Sequence, residues 1–169
     1  MGRTKKMKEP KFKIGGIIQK RDLARIGIMG IPDRPGVAGA IFSALGSEGI
    51  NCPFIVHTFD LNNQDSIALC VAQSQLAAAL QILESVSDSV GAKKVVYTGE
   101  VAMIAVFGPH FGERPGVAGV MFSALASAEI NILAISTSIS SLSCIIDTAE
   151  LDEASRALQE AFDRPRSGR

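Results

Sequence analysis

Asp33-Arg34-Pro35-Gly36-Val37-Ala38-Gly39 decides how the rest of the chain is read, because it returns 80 residues later as Glu113-Arg114-Pro115-Gly116-Val117-Ala118-Gly119. Between Arg34–Asn51 and Arg114–Asn131, thirteen of eighteen positions are identical, among them Phe42/Phe122, Ser43-Ala44-Leu45/Ser123-Ala124-Leu125 and Ile50-Asn51/Ile130-Asn131. A repeat of that length means two copies of one small domain rather than a stack of solenoid units. Proline fixes φ at a helix start and lacks an N–H that would be unpaired there anyway, and an acidic residue two positions earlier can cap the helix. Each copy is therefore expected to turn sharply from strand into helix at Pro35 and Pro115, capped by Asp33 and Glu113. The glycine after the proline leaves the N–H groups of the first turn unshielded, a setting that suits a carboxylate or phosphate. Two such helix starts, each beside an acidic group, suit a ligand carrying both charges, and a free amino acid is the simplest one.

The chain has 169 residues, so the repeat offset means two domains. Domains this small bury a modest share of their surface and commonly pack against each other or another chain. Apolar residues make up 47% of the chain, with one Tyr and no Trp, which describes an aliphatic core. No apolar run is long enough to cross a bilayer. The formal net charge is zero, so nothing draws the chain as a whole to nucleic acid or membrane. Residues 1–10 read as a mobile basic leader, without the apolar segment of a secretory signal. Cys52, Cys70 and Cys144 are odd in number and widely spaced, as expected of reduced core thiols in a cytoplasmic protein with no structural metal.

Strand character runs over Lys11 to Gln19 and Ala24 to Ile31, separated by a polar turn at Lys20-Arg21-Asp22. Val37, Ile41 and Leu45 recur at helical spacing and predict a helix from Pro35 to Glu48, ended by Gly49. Ile50 to Phe59 and Ser66 to Val71 read as strands around a hairpin loop at Asp60 to Asp65. Ser74 is expected to cap a second helix that buries Leu76, Leu80, Leu83 and Val90 and stops at Gly91. Lys94 to Thr98 is the last strand of this copy. The order is βαββαβ, the ferredoxin-like unit with two helices on one face of a four-stranded antiparallel sheet.

The second copy reads as strand over Val101 to Phe107, helix over Pro115 to Glu129, strands over Ile130 to Ser138 and Leu142 to Asp147, and a helix burying Leu151, Ala154, Leu158 and Phe162. Residues 164–169 are a polar tail and cannot be a buried strand, so this copy lacks its fourth strand while Lys11 to Gln19 is surplus. The expected fold is α+β: a strand at 11–20 completes the second domain (100–163), and the first domain (23–99) is inserted between them.

These features together resemble the paired ACT domains of aspartate kinase. The resemblance rests on the Pro32-Asp33-Arg34-Pro35-Gly36-Val37-Ala38 turn, the Gly49-Ile50-Asn51 approach to a strand, Ile135-Ser136-Thr137-Ser138 and the closing helix Leu151-Asp152-Glu153-Ala154, and it covers residues 11 to 163. The size of the chain is similar to that of the family's separate regulatory subunit, which lacks the kinase domain. The resemblance implies a non-catalytic subunit that binds lysine, threonine or both as feedback effectors and partners a catalytic subunit; edge strands that must be covered, and sites formed between domains, argue for a homodimer at least. It also implies the site residues: Asp33, Gly36, Val37 and Ala38 with Asn131 and Ile132, and in mirror image Glu113, Gly116, Val117 and Ala118 with Asn51 and Cys52. His57 stands where the family has a ligand-contacting Gln, and its repeat mate is Thr137. Ile139 and Ser141 stand where the family has Glu and Arg.

Other readings are a stand-alone amino-acid sensor acting on another enzyme, and a dimerisation module without ligand. Lys13-Ile14-Gly15-Gly16 faintly resembles the opening of the amino-acid kinase domain, yet the chain lacks the length for a nucleotide-binding domain. His57 and His110 have no cluster of metal ligands or nucleophile near them in sequence. Nothing basic neighbours Cys52, which reads as an unreactive thiol.

Overall fold

The computed structural model describes residues 11–59, 64–109, 111 and 115–163. The expected leader, the tail, most of the 60–65 loop, His110 and the cap Glu113 lie outside the described residues. Strands β1 (Gly16–Pro32), β2 (Phe54–Thr58), β3 (Gln64–Ala72), β4 (Lys94–Phe107), β5 (Ala134–Thr137) and β6 (Ser141–Asp147) alternate with helices α1 (Val37–Ser47), α2 (Leu76–Val90), α3 (Val117–Ser127) and α4 (Leu151–Ala161). The strands form one antiparallel sheet in the order β2-β3-β1-β4-β6-β5.

The two central strands serve both repeats. Arg25–Met29 of β1 pairs with Lys94–Thr98 of β4, and Gly16–Lys20 of β1 pairs with Met103–Phe107 of β4. The amino-terminal half of β1 is thus the fourth strand of the second repeat, as its missing strand required. The expected turn at Lys20-Arg21-Asp22 is instead an irregularity within one 17-residue strand: the register shifts between Lys20 and Leu23, and Asp22 adopts φ 57°. Bulges add local twist, and this one lets a single strand change partners without a loop. The segment is fastened further. Ile14 N–H donates to the Asp163 carbonyl at 2.9 Å, Gln19 Nε2 donates to Ser155 Oγ at 2.8 Å, and Arg21 Nη2 meets Asp152 Oδ1 at 2.5 Å.

Each repeat has its own core beneath its helices. Ala24, Ile26, Ile28, Ile41, Leu45, Leu69 and Leu83 form one, and Ile14, Ile104, Met121, Leu125, Cys144, Leu151 and Leu158 form the other. A third cluster, Leu23, Phe54, Cys70, Val101 and Ile145, packs on the opposite face where the two halves meet. Met29 lies on that open face at 41% exposure.

The helix starts differ from expectation. α1 begins at Val37, and its N-cap is Gly36, in the left-handed region at φ 94°, with no side-chain cap. Gly116 does the same before α3 at φ 101°. Pro35-Gly36 is therefore the centre of a turn that needs positive φ at its second position, a glycine requirement; Pro35 is not helical and Asp33 is not a cap. Ser74 is likewise no cap, because a 3-10 turn over Gln73–Gln75 precedes α2. α2 buries Ala79, Leu83, Ser87 and Val90, while Leu76 and Leu80 are only partly covered. α4 buries the expected Leu151, Ala154 and Leu158, and Phe162 follows it into the core.

Candidate functional site

In the second repeat the first turn of α3 faces the β5–β6 hairpin across an open cavity of about 310 Å³. Gly116, Val117 and Ala118 supply the helix start, Phe111 and Phe122 the walls, and Ile135, Thr137, Ser138, Ser141 and Leu142 the opposite side. The helix presents the unpaired N–H groups of its first turn, a partial positive charge suited to a carboxylate. The hairpin is shaped by its serines: Ser138 N–H donates to the Ser141 carbonyl at 2.8 Å, Ser141 N–H donates to Ser138 Oγ at 3.0 Å, and the two hydroxyls meet at 2.8 Å. Gly108 N–H adds a bond to the Ser140 carbonyl at 2.9 Å. The side chains lining the cavity are apolar apart from three hydroxyls. It can hold a small zwitterion, with the aliphatic or hydroxylated part of its side chain against these walls.

The first repeat has the same left-handed glycine before its helix, and its edge strand carries a histidine where the second has Thr137. His57, the mate of Thr137, bonds through Nε2 to Asp65 Oδ2 at 2.7 Å. Asp65 is 4% exposed, and its Oδ1 is buried with no hydrogen-bond partner among the described residues. A buried carboxylate with one open oxygen is costly unless something cationic or a donor reaches it. Asp33, the expected acidic contact, is exposed. Arg34 beside it reaches back to the Ser89 and Val90 carbonyls at 3.4 Å, at the end of α2.

Of the expected site residues, the second-repeat cavity brings together Gly116, Val117, Ala118 and Thr137. Gly36, Val37, Ala38 and His57 hold the corresponding places in the first repeat, Val37 being a buried core residue. Asn131, Ile132, Asn51 and Cys52 do not line the cavity; Ile132 and Cys52 pack partly against the cores. Sequence reasoning missed Phe122, Ser138, Ser141 and Asp65. The Phe42/Phe122 identity was a signal for the first; Asp65 gave none, because its burial depends on pairing with Ile31 across the sheet.

The thiols are inert by environment. Burial raises Cys52, and it pushes Cys70 and Cys144 up to about 12. Among the described residues no group of His, Cys, Asp and Glu is placed to hold a metal ion, and no helix is long and apolar enough to cross a membrane.

The ACT domain family model matches residues 26–86 and 104–162. Aspartate kinase of Pseudomonas putida is 35% identical over 150 residues, which is 89% of this chain and 36% of that protein. The chain thus spans about a third of the length of such curated relatives. Among solved structures, the ligand-free regulatory subunit of aspartate kinase from Thermus thermophilus superimposes with a TM-score of 0.80 at 32% identity, covering 89% of this chain and 99% of that one. A structure of aspartokinase alpha and beta subunits gives 0.79 at 31% identity, covering 88% of this chain and 97% of that one. With two ACT domains and no kinase domain in its 169 residues, the chain belongs to the ACT-domain family and stands close to the regulatory subunit of aspartate kinase.

Proposed function

We propose that this chain binds free lysine or threonine and transmits its presence to a catalytic aspartate kinase subunit as feedback inhibition in the cytoplasm. The observation that carries the reading is the cavity between the first turn of α3 and the β5–β6 hairpin, open to a small zwitterion. The ligand's carboxylate would meet the N–H groups after Gly116, and its side chain would lie among Phe122, Ile135 and the hydroxyls. A ligand with so few atoms gains about 6–8 kcal/mol, a micromolar dissociation constant. Differential binding to two arrangements supplies about 1–3 kcal/mol of coupling, enough to change a partner's activity severalfold or more.

The partner surfaces follow from the edges of the sheet. β2 and β5 are its end strands, so each leaves one row of backbone groups unpaired. The exposed apolar residues on them and just beyond their ends are repeat mates: Ile55 and Ile135 at 42% and 41% on the strands, Phe59 and Ile139 at 84% and 87% beyond them. We read these edges as the homodimer contact. In that arrangement Asn131 and Ile132 would complete the first-repeat site of the other copy, and Asn51 and Cys52 the second.

Reconstitution tests the function. The chain mixed with a catalytic aspartate kinase subunit should make its activity fall with added threonine or lysine, and Ala118→Leu, which fills the cavity, should remove that response without dissociating the subunits. Activity indifferent to both amino acids at millimolar concentration would refute the reading.

A further inference from the structure

The face of the sheet turned away from α1 and α2 carries a hollow of about 340 Å³ that the effector reading does not use. Cross-strand pairing explains its shape. One row runs Val56, Ala68, Gly27, Val96 across β2, β3, β1 and β4. Its two central residues are small and its two outer ones large, so the middle of the sheet sinks between raised walls. The next row adds Met29 and Ser66 on one side, and the preceding row adds Arg25 and Thr98 on the other. In the second repeat the cation is missing. Ala105 pairs with Ser143 as Gly27 pairs with Ala68, so by register Ala105 is the counterpart of Gly27 and Met103 that of Arg25. Phe107, the counterpart of Met29, lies over Gly16, where an added Cβ would sit 2.9 Å from its ring. The hollow's cation is therefore a property of the first repeat, not of the duplicated fold.

Arg25 is the distinguishing group. It is half-buried on a central strand, and Nη1 donates to the Leu133 carbonyl at 2.8 Å, a neutral acceptor. No carboxylate lines the hollow, and among the described residues Arg25 has no ion-pair partner. A guanidinium withdrawn from water and answered by one carbonyl retains donors that favour a carboxylate. Thr58, Ser66 and Thr98 add hydroxyls. The rim is apolar and exposed, with Met29 at 41%, Val96 at 37% and Tyr97 at 60%. Apolar surface gathered around convergent polar groups marks a binding site.

We propose that this hollow binds a small monocarboxylate with an apolar body, the carboxylate on Arg25 and the body over Gly27 and Ala68. An amino acid is disfavoured there, because its ammonium would lie beside the Arg25 guanidinium, a like charge. The site lies on the other face of the sheet from the proposed effector site and does not rest on that reading.

The test is an amide-shift titration of the ¹⁵N-labelled full chain with isocaproate, with isocaproamide and leucine as the neutral and zwitterionic matches of the same body. Saturable shifts centred on Gly27, Ala68 and Thr98 are expected, with isocaproamide and leucine at least tenfold weaker. Arg25→Met should reduce isocaproate to the affinity of the amide. Ala68→Leu keeps Arg25 and its bond to Leu133, so it should remove binding without loosening the two halves. Shifts centred on the α3 cavity, equal affinity for the amide or for leucine, or no saturation would overturn the proposal.

Discussion

Replacing Ile14 by Ala tests whether the amino-terminal segment is a working part of the second repeat. Ile14 is 2% exposed and belongs to the core made by Ile104, Met121, Leu151, Leu158 and Phe162, although more than eighty residues of sequence separate it from any of them. Its neighbours hold the backbone on both sides. Gly15 N–H donates to the Phe107 carbonyl at 2.6 Å, and Asp163 N–H donates to the Phe12 carbonyl at 2.9 Å. Those bonds resist collapse into the space left by the side chain, so the loss should lie in the middle of the about 2–5 kcal/mol range for truncating buried isoleucine, near 3 kcal/mol. Urea unfolding should show a lower midpoint with an unchanged slope, the mark of lost stability rather than altered compactness. In a domain pair of this size the melting temperature should fall by about 6–12 °C. Hydrogen exchange should locate the damage, with amides of Ile104 and Cys144 losing more protection than that of Leu69 in the first-repeat core. A change below about 0.5 kcal/mol, typical of a surface substitution, would refute the assignment of this segment.

Gly36→Ala and Gly39→Ala should have opposite signs. Neither Cβ would meet an atom within 4 Å, but Gly36 has φ 94°, costing alanine about 1–2 kcal/mol, while Gly39 is helical and should gain about 0.5–1 kcal/mol; equal effects in denaturant titrations would disprove the turn geometry. His57→Ala leaves buried Asp65 without its bonded partner and should cost about 1–3 kcal/mol, whereas His57→Gln keeps a donor and should cost less; the reverse order would contradict the pairing. Cys70 and Cys144 bind their protons more tightly folded than unfolded, so stability attributable to them is intact below the unfolded value of 9.0 and declines as pH rises toward about 12. Together they should account for about 2 kcal/mol of loss between pH 9 and pH 10, read as the difference in slope between the wild type and a Cys70→Ala/Cys144→Ala variant; parallel profiles would dismiss the burial argument.

The duplication made the fold legible. Because Arg34–Asn51 and Arg114–Asn131 match so closely, a strand missing from one copy and surplus in front of the other pointed to the exchange that β1 makes. What the sequence concealed were decisions made by neighbours. Lys20-Arg21-Asp22 has turn composition, yet it sits within β1 because β4 continues beside it and a bulge absorbs the polar residues. Pro35 looks like a first helical residue until the positive φ of Gly36 shows that the pair forms the turn before the helix. The acidic group of the first-repeat site was expected at Asp33, the conspicuous one in the motif. The burial of a second acidic group, Asp65, was not legible, because local sequence places it in a hairpin loop and only the pairing of β3 with β1 draws it inward. The hollow over Gly27 depends on four residues from four strands, an arrangement visible only once the register is known.

Calorimetric titration of the chain with lysine, with threonine and with both, repeated on Ala118→Leu, measures the central claim most directly. The account predicts saturable micromolar binding of at least one of them to the wild type, and loss of the second-repeat share of that binding in the variant. Silence from the wild type, or an unchanged isotherm with the cavity filled, would contradict it.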